Sequence, residues 1–396
     1  MAQNIRTGSY TICIETLGCK VNQIESESLA RAFVDCGFSC IMGDLSSSTP
    51  IDNSLILCIL NTCTVTAKSE QKARRLIRLM LNTYPNAIII VTGCYAEMDN
   101  AEIASIDNRL VLVGGKKKHI LLKFPHYVQN ILNTHIPHEK KSCADFVPLD
   151  FAKTYLQCTK DYFSKEISTY TPINTAGLFK LSTDTFLQHS RPSVKIQDGC
   201  NYRCSYCRIC LARGESISLE PEKILQRVMQ LEKAGHSEVV LTGINVSQYK
   251  SDNSDLTELL RFLLEHTSTI AFRLASLHPQ IITEKLCDVL KHKRIQPHFH
   301  LSVQSGSDTI LSAMARPYKS IQVKKAITLL RAVKENPFFG CDIIVGFPGE
   351  SDEDFNETFR LCKESKFAWI HVFPFSPRKD TPAFYAEPKI SRNIVT

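Results

Sequence analysis

The sequence predicts an α/β fold in two parts, an N-terminal parallel-sheet domain followed by a partial barrel of six strand–helix repeats. Two observations carry this. Short β-rich runs alternate with helical patterns across the first 115 residues, and the alternation resumes six times between Val194 and Phe375. A length of 396 residues at about 150 per domain allows two to three domains, and 43% hydrophobic with 22% charged residues excludes disordered, collagenous and coiled-coil chains.

In the first part, strand-like Tyr10–Leu17 precedes helical Asn22–Cys36, Leu55–Leu60 precedes Ala67–Leu81, and Ala87–Thr92 precedes a last run at Leu110–Val113. Such order implies parallel strands with helices on both faces. From Gly115 to about Pro192 the periodicity degrades through KKKH, NTHIPHEKK and a Ser/Thr/Tyr-rich stretch, which reads as an irregular linker or insertion with short helical pieces. In the second part the runs are Val194–Gln197, Glu238–Leu241, Ala271–Leu274, His298–Val303, Cys341–Val345 and Ile370–Phe375, all but the last followed by a helical segment. The expected division is 8–120, a linker at 121–190, and 191–396.

No apolar run approaches the roughly 20 residues that span a bilayer, so no membrane partner is expected. The start lacks a positive region followed by an apolar one, which places the chain in the cytoplasm. There, 16 cysteines point to metal or thiolate chemistry rather than disulfides. The formal charge of +7 permits a polyanionic partner.

Three cysteines stand just past strand ends, Cys19 in TLGCKVNQ, Cys63 in NTCTVT and Cys94 in TGCYAE. The carboxyl ends of parallel strands share one edge, where α/β sheets bind ligands, so these thiols converge and suit an iron–sulfur cluster. Cys58 lies inside the apolar run SLILCIL and reads, with Cys13, Cys36, Cys40, Cys287, Cys341 and Cys362, as a small hydrophobe.

The strongest local signal is DGCNYRCSYCRICLARG, with Cys200, Cys204 and Cys207 directly after the first strand of the second part. Three thiolates in so short a loop fit a cubane with one iron left open to a small molecule. Cys210 leaves two further readings, a closed four-cysteine cluster and a zinc knot.

The C-x3-C-x2-C loop after the first barrel strand resembles the radical S-adenosylmethionine superfamily. TLGCKVNQIES, NTCTVT and GCYAE, with HLSVQSGSD, DIIVGFPGE and FPFSPRKDTPA, are similar to its methylthiotransferase branch. TLGCKVNQ, LTGIN and FPFSPR most resemble the threonylcarbamoyladenosine tRNA methylthiotransferases. The resemblance covers about Tyr10–Gly115 and Ser193–Ala383.

That resemblance implies two 4Fe–4S clusters and S-adenosylmethionine. One cluster is held by the catalytic Cys200, Cys204 and Cys207, whose open iron chelates the cofactor's amino and carboxylate groups. One-electron reduction gives a 5′-deoxyadenosyl radical that abstracts hydrogen from C2 of adenine in N6-threonylcarbamoyladenosine, next to the tRNA anticodon. The second, on Cys19, Cys63 and Cys94, delivers sulfur, which another S-adenosylmethionine methylates. Thr242, Gly243 and Asn245 are then expected near the methionyl amine, Ser302 and Gln304 near the ribose or methionyl part, and Gly346 and Phe347 near the adenine. Arg213 in LARG is expected to neutralise the cofactor carboxylate. Partners are tRNA, a reductant such as flavodoxin or ferredoxin, and a sulfur donor. Lys68, Lys72 and Arg75 share one helix face, with KKKH at Lys116–His119 beyond it, a pattern that reads equally as phosphate contacts or as plain solvated faces. Asp342 reads as a structural carboxylate.

Three features depart from the family pattern. Cys210 stands where proline is usual, His278 stands where glutamate is usual, and the chain stops at Thr396 ahead of the small C-terminal β-barrel (TRAM) domain, which is expected to be absent.

Overall fold

The computed structural model describes residues 10–43, 45–135, 149–168, 175–183, 191–252 and 254–395. Most of NTHIPHEKK and the middle of the Ser/Thr/Tyr-rich stretch lie outside the described residues. Two compact units emerge, residues 1–190 with Leu211–Arg213, and Arg191–Cys210 with Gly214–Thr396.

The first unit is built on a five-stranded parallel sheet in the order β2-β1-β3-β4-β5, with β1 Thr11–Thr16, β2 Ser39–Met42, β3 Leu57–Thr62, β4 Ile88–Gly93 and β5 Leu110–Gly114. Alternate residues of each strand face opposite sides, so one sheet makes two cores. Ile12, Ile14, Leu57, Ile59 and Ile90 meet Leu29 and Phe33 of α1 (Lys20–Asp35). Cys13, Cys58, Leu60 and Val91 meet Ala73, Ile77 and Met80 of α2 (Ala67–Thr83), whose N-cap Thr66 accepts from Ser69 N at 3.1 Å. Strand β2 escapes the sequence reading because SCIM is only four residues long and sits between turns at Gly37 and Gly43.

The expected irregular linker is corrected by the structure. After α3 (Cys94–Met98) and α4 (Asn100–Ala104), the chain forms α5 (Phe124–His135) and the 20-residue α6 (Leu149–Ser168). Phe124, Val128, Tyr155 and Phe163 belong to the same core as β1 and β3, and Tyr127 stacks on Tyr162 with ring centroids 4.3 Å apart. The apolar stripe of α6 is made of Tyr155, Thr159, Tyr162 and Phe163 between lysines, so its helical period is hidden by polar atoms.

In the second unit, β6 (Ser193–Lys195), β7 (Glu238–Thr242) and β8 (Ala271–Leu274) form one parallel sheet in the order β8-β7-β6. Strands β9 (His298–Gln304), β10 (Phe338–Val345) and β11 (Trp369–Pro374) form another, and parallel bridges Phe272↔Ile295 and Leu277↔Leu301 join the two. Between the strands lie α7 (Ile209–Arg213), α8 (Pro221–Lys233), α9 (Leu256–His266), α10 (Glu284–Leu290), α11 (Asp308–Ala313), α12 (Ser320–Arg331) and α13 (Asp352–Ser365). On β9, Phe299, Leu301 and Val303 are buried, and His298, His300, Ser302 and Gln304 form the opposite, more open face. Among the described residues, no helix is long and apolar enough to cross a membrane.

One carboxylate fixes the approach to β8. Glu232 of α8 accepts from the backbone N–H groups of Ser268 (3.0 Å), Thr269 (2.6 Å) and Ile270 (2.9 Å). Desolvation pushes its pKa up, but these donors outweigh it and hold the carboxyl at about 2. The folded value lies below the unfolded one, so the stabilisation is complete above pH 4.5 and is lost as pH falls toward 2. Glu232→Ala is expected to cost about 1–2 kcal/mol at pH 7, after discounting for solvent screening, and almost nothing near pH 2. Urea unfolding of the metal-free protein at both pH values measures the difference.

Candidate active site

The strand order of the first unit brings its three singled-out thiols to one edge. Thr62 pairs with Gly93, so Cys63 and Cys94 follow the ends of neighbouring strands in register. Thr16 pairs with Asn61, which carries Cys19 to the same place as the N-cap of α1. Each of Cys19 and Cys63 feels the charge of Cys94. Gly18 has φ +114°, and a Cβ there would stand 2.8 Å from Cys63 Cβ, so only glycine lets the β1–α1 loop pass this close. Burial pushes the Cys63 thiol up to about 11, opposed by Val65 N–H, 3.5 Å from the sulfur. Such a thiol is protonated at neutral pH, and a metal centre must displace that proton to bind.

Beneath the trio lies a polar network that the sequence reading did not foresee. Glu25, on α1, is fully buried; Lys118 Nζ donates to it at 2.6 Å and Arg213 Nη1 at 3.1 Å. Arg213 Nη2 also donates to Asn22 Oδ1 at 2.6 Å, and Lys118 donates to Asn61 Oδ1 at 3.2 Å. Arg213, expected beside the cofactor carboxylate, is paired with Glu25 of its own unit, because a buried carboxylate requires cationic partners. Lys118 of the KKKH run is not a surface cation, and Lys116 faces Glu97 at 3.6 Å. On α2, Arg74 is bound to Tyr95 Oη (2.7 Å) and Glu102 (3.1 Å), while Lys68, Lys72 and Arg75 are exposed. The available signal for Asn22 and Glu25 was their one-turn spacing behind Cys19 in CKVNQIES.

In the second unit, Cys200, Cys204 and Cys207 follow β6 in a loop closed by Cys200 N donating to Gly214 O at 3.0 Å. Each sulfur receives a hydrogen bond: Asn245 Nδ2 to Cys200 (3.7 Å), Arg316 Nη1 to Cys204 (3.3 Å) and Ile209 N to Cys207 (3.5 Å). N–H donors aimed at sulfur favour thiolates and tune the clusters they hold. Cys210 is within electrostatic reach of Cys200 and Cys207, but its own thiol turns to the Cys207 carbonyl at 3.9 Å. Burial pushes Cys207 up to about 12, with Ile209 N–H opposing.

Arg316 is the cation that the sequence reading missed beside this loop. Its guanidinium also donates to Ser302 O at 3.1 Å, to the Tyr318 hydroxyl at 2.8 Å and to His278 Nδ1 at 3.4 Å. Burial and this guanidinium hold His278 neutral, with its pKa down to about 3. The unusual histidine in ASLHP therefore serves as an acceptor in the second unit's polar cluster. The short segment MARPY between two helices carries no periodic signal for such a role.

The remaining singled-out residues stand at strand ends. Thr242 closes β7 and is buried, Gly243 packs against Gln197, and Asn245 N donates to Gln197 Oε1 at 2.7 Å. Asn245 Oδ1 is buried without a hydrogen-bond partner among the described residues. Gln304 closes β9 at φ +72°, next to a register shift. A non-glycine residue in this region costs of order 1 kcal/mol, a strain that clusters at ligand sites. Gly346 N donates to Glu350 Oε2 at 2.5 Å. Phe347 is 2% exposed and packed with Ile310, Met314 and Ile344.

Known proteins resemble both parts of the chain. The radical SAM superfamily matches residues 194–362, and an uncharacterized protein family, UPF0004, matches residues 11–115. The threonylcarbamoyladenosine tRNA methylthiotransferase MtaB of Treponema pallidum is 43% identical, over 97% of this chain and 84% of that protein. MtaB of Bacillus subtilis is 32% identical, over 97% of this chain and 77% of that protein. Among solved structures, the radical S-adenosylmethionine methyltransferase TsrM of Kitasatospora setae superposes with a TM-score of 0.58 at 13% identity, over 95% of this chain and 77% of that one, a likeness of fold alone. With identity at this level spread over both units, the chain belongs to the family of threonylcarbamoyladenosine tRNA methylthiotransferases.

Proposed function

We propose that this protein inserts a methylthio group at C2 of the adenine in N6-threonylcarbamoyladenosine, beside the anticodon of tRNA. The observation that carries the reading is the loop in which Cys200, Cys204 and Cys207 each receive an N–H on sulfur while Cys210 turns to a carbonyl. This favours three thiolate ligands over four. A 4Fe–4S cluster held there supplies one-electron reduction of S-adenosylmethionine, and a second held by Cys19, Cys63 and Cys94 supplies sulfur.

The chain's own side chains prepare both sites. Arg316 offsets the charge of Cys204 from a buried position, which leaves Arg213 to Glu25. Asn245 Oδ1 accepts from the methionyl amine, and the backbone at Thr242 and Gly243 lets the ligand approach closely. Ser302 and Gln304 offer polar atoms from the open face of β9 toward the ribose or methionyl part, and Gly346 borders the adenine. The exposed Lys68, Lys72 and Arg75 of α2 give phosphates a cationic face. Attack on an aromatic C–H also requires an electron donor of the flavodoxin or ferredoxin kind and a source of sulfur.

The test supplies cluster-reconstituted protein with reductant, S-adenosylmethionine, sulfide and tRNA containing threonylcarbamoyladenosine or isopentenyladenosine. Mass spectrometry of the digested nucleosides is expected to show the methylthio product on the first only. Product on the second alone, or on neither, overturns the assignment.

A further inference from the structure

We propose that His300, Asp342 and His371 form a binding site for a divalent transition-metal ion of the zinc class, separate from the cysteine sites. The three residues lie on the neighbouring strands β9, β10 and β11. His300 pairs in register with Gly340, two residues before Asp342, and Asp342 pairs with His371. His300 Nε2 stands 3.0 Å from Asp342 Oδ1, and His371 Nδ1 stands 3.2 Å from the same oxygen. All three donor atoms lie within 4.8 Å of one another.

These separations are close to those the ion requires. Nitrogen and oxygen ligands at about 2.0–2.1 Å from a tetrahedral zinc lie roughly 3.3 Å apart, which both nitrogen–oxygen separations approach, and the two imidazole nitrogens, within 4.8 Å of each other, close the site by side-chain rotation. Two imidazoles and one carboxylate suit zinc, cobalt(II) or iron(II), whereas calcium and magnesium prefer all-oxygen shells. Three protein ligands leave a further position for water or another small ligand.

The imidazole of His300 is seated by the backbone opposite. A Cβ on Gly340 would stand 2.6 Å from His300 Nδ1, so glycine at this register makes the room that turns Nε2 toward Asp342. Trp369 and Phe373 flank His371 edge-on, with ring centroids at 6.0 and 6.1 Å. His300 and Asp342 are mostly shielded and His371 is half-exposed, which gives an ion both a low-dielectric seat and a path in. His300 shares its face of β9 with Ser302 and Gln304, so the further position opens on polar atoms. No thiol is part of the donor set, and the inference does not depend on the radical chemistry.

The experiment uses cluster-loaded protein, so that cysteines are occupied by iron, equilibrated with Zn2+ and dialysed. Zinc content and zinc K-edge absorption spectra then report the site without interference from iron. About one zinc per chain with nitrogen and oxygen neighbours is expected, falling to background in His300→Ala and His371→Ala while iron content and circular dichroism are unchanged. Should His300→Ala fail to fold, His371→Asn on the edge strand carries the same expectation. Absence of retained zinc in the unsubstituted protein overturns the proposal, as does zinc that persists in both variants or shows sulfur neighbours.

Discussion

Cys207→Ala is expected to abolish 5′-deoxyadenosine formation, whereas Cys63→Ala leaves that activity near the unsubstituted level and abolishes methylthio insertion. Each thiol belongs to a different unit and a different set of sulfurs. Cys207 sits in the loop whose sulfurs are bonded to Ile209, Asn245 and Arg316, and losing one of three ligands leaves no stable seat for a reducible cluster. Cys63 stands with Cys19 and Cys94 at the sheet edge of the first unit, whereas Thr242, Gly243, Asn245, Ser302 and Gln304 belong to the second. Chromatographic quantification of 5′-deoxyadenosine beside mass spectrometry of the tRNA nucleosides separates the two activities. Equal loss of both in Cys63→Ala, or 5′-deoxyadenosine formation that survives in Cys207→Ala, would contradict the division of labour.

The second large effect is on stability. Glu25→Gln is expected to destabilise the first unit by about 3–5 kcal/mol, because it keeps the shape of the side chain while removing its charge and turning an amide donor toward one of two buried cations. Glu25 and Lys118 are completely buried and Arg213 nearly so, at 6% side-chain exposure. Water therefore screens little of the loss. A domain's net stability is about 5–15 kcal/mol, so the variant approaches the limit of folding. Lys118→Met is expected to cost less, since Arg213 still faces Glu25. Guanidinium unfolding followed by circular dichroism ranks the three proteins, and a cost below about 1 kcal/mol for Glu25→Gln would mean that water reaches the network.

How much of this was legible in the sequence follows from the physics of each signal. Parallel order could be read from strand–helix alternation, and parallel order alone brings Cys19, Cys63 and Cys94 to one edge. The six parallel strands of the second unit were visible for the same reason, through strand–helix alternation. What stayed hidden involves polar atoms whose partners are remote in sequence. Lys118 looks like part of a solvated run until Glu25, 93 residues away, is placed against it. Arg316 reaches Cys204 across 112 residues, and nothing in MARPY announces it. Asp342 was read as structural, and the strand register that sets it between two histidines cannot be inferred from any one strand. Tyrosine and threonine likewise concealed the buried stripe of α6, since their rings and methyl groups bury while their oxygens read as polar.

The excursion of Leu211–Arg213 into the first unit bears on how the protein can be dissected. A fragment ending before Arg191 would contain every strand of its sheet yet omit Arg213, leaving the buried carboxylate of Glu25 without that guanidinium. Such a piece is expected to be less soluble and less stable than its secondary structure suggests, and a synthetic peptide spanning Ile209–Gly214 added in trans would be the natural complement. Modularity in this chain is thus a matter of three-dimensional sorting, and a cut at the boundary of linear segments does not follow it.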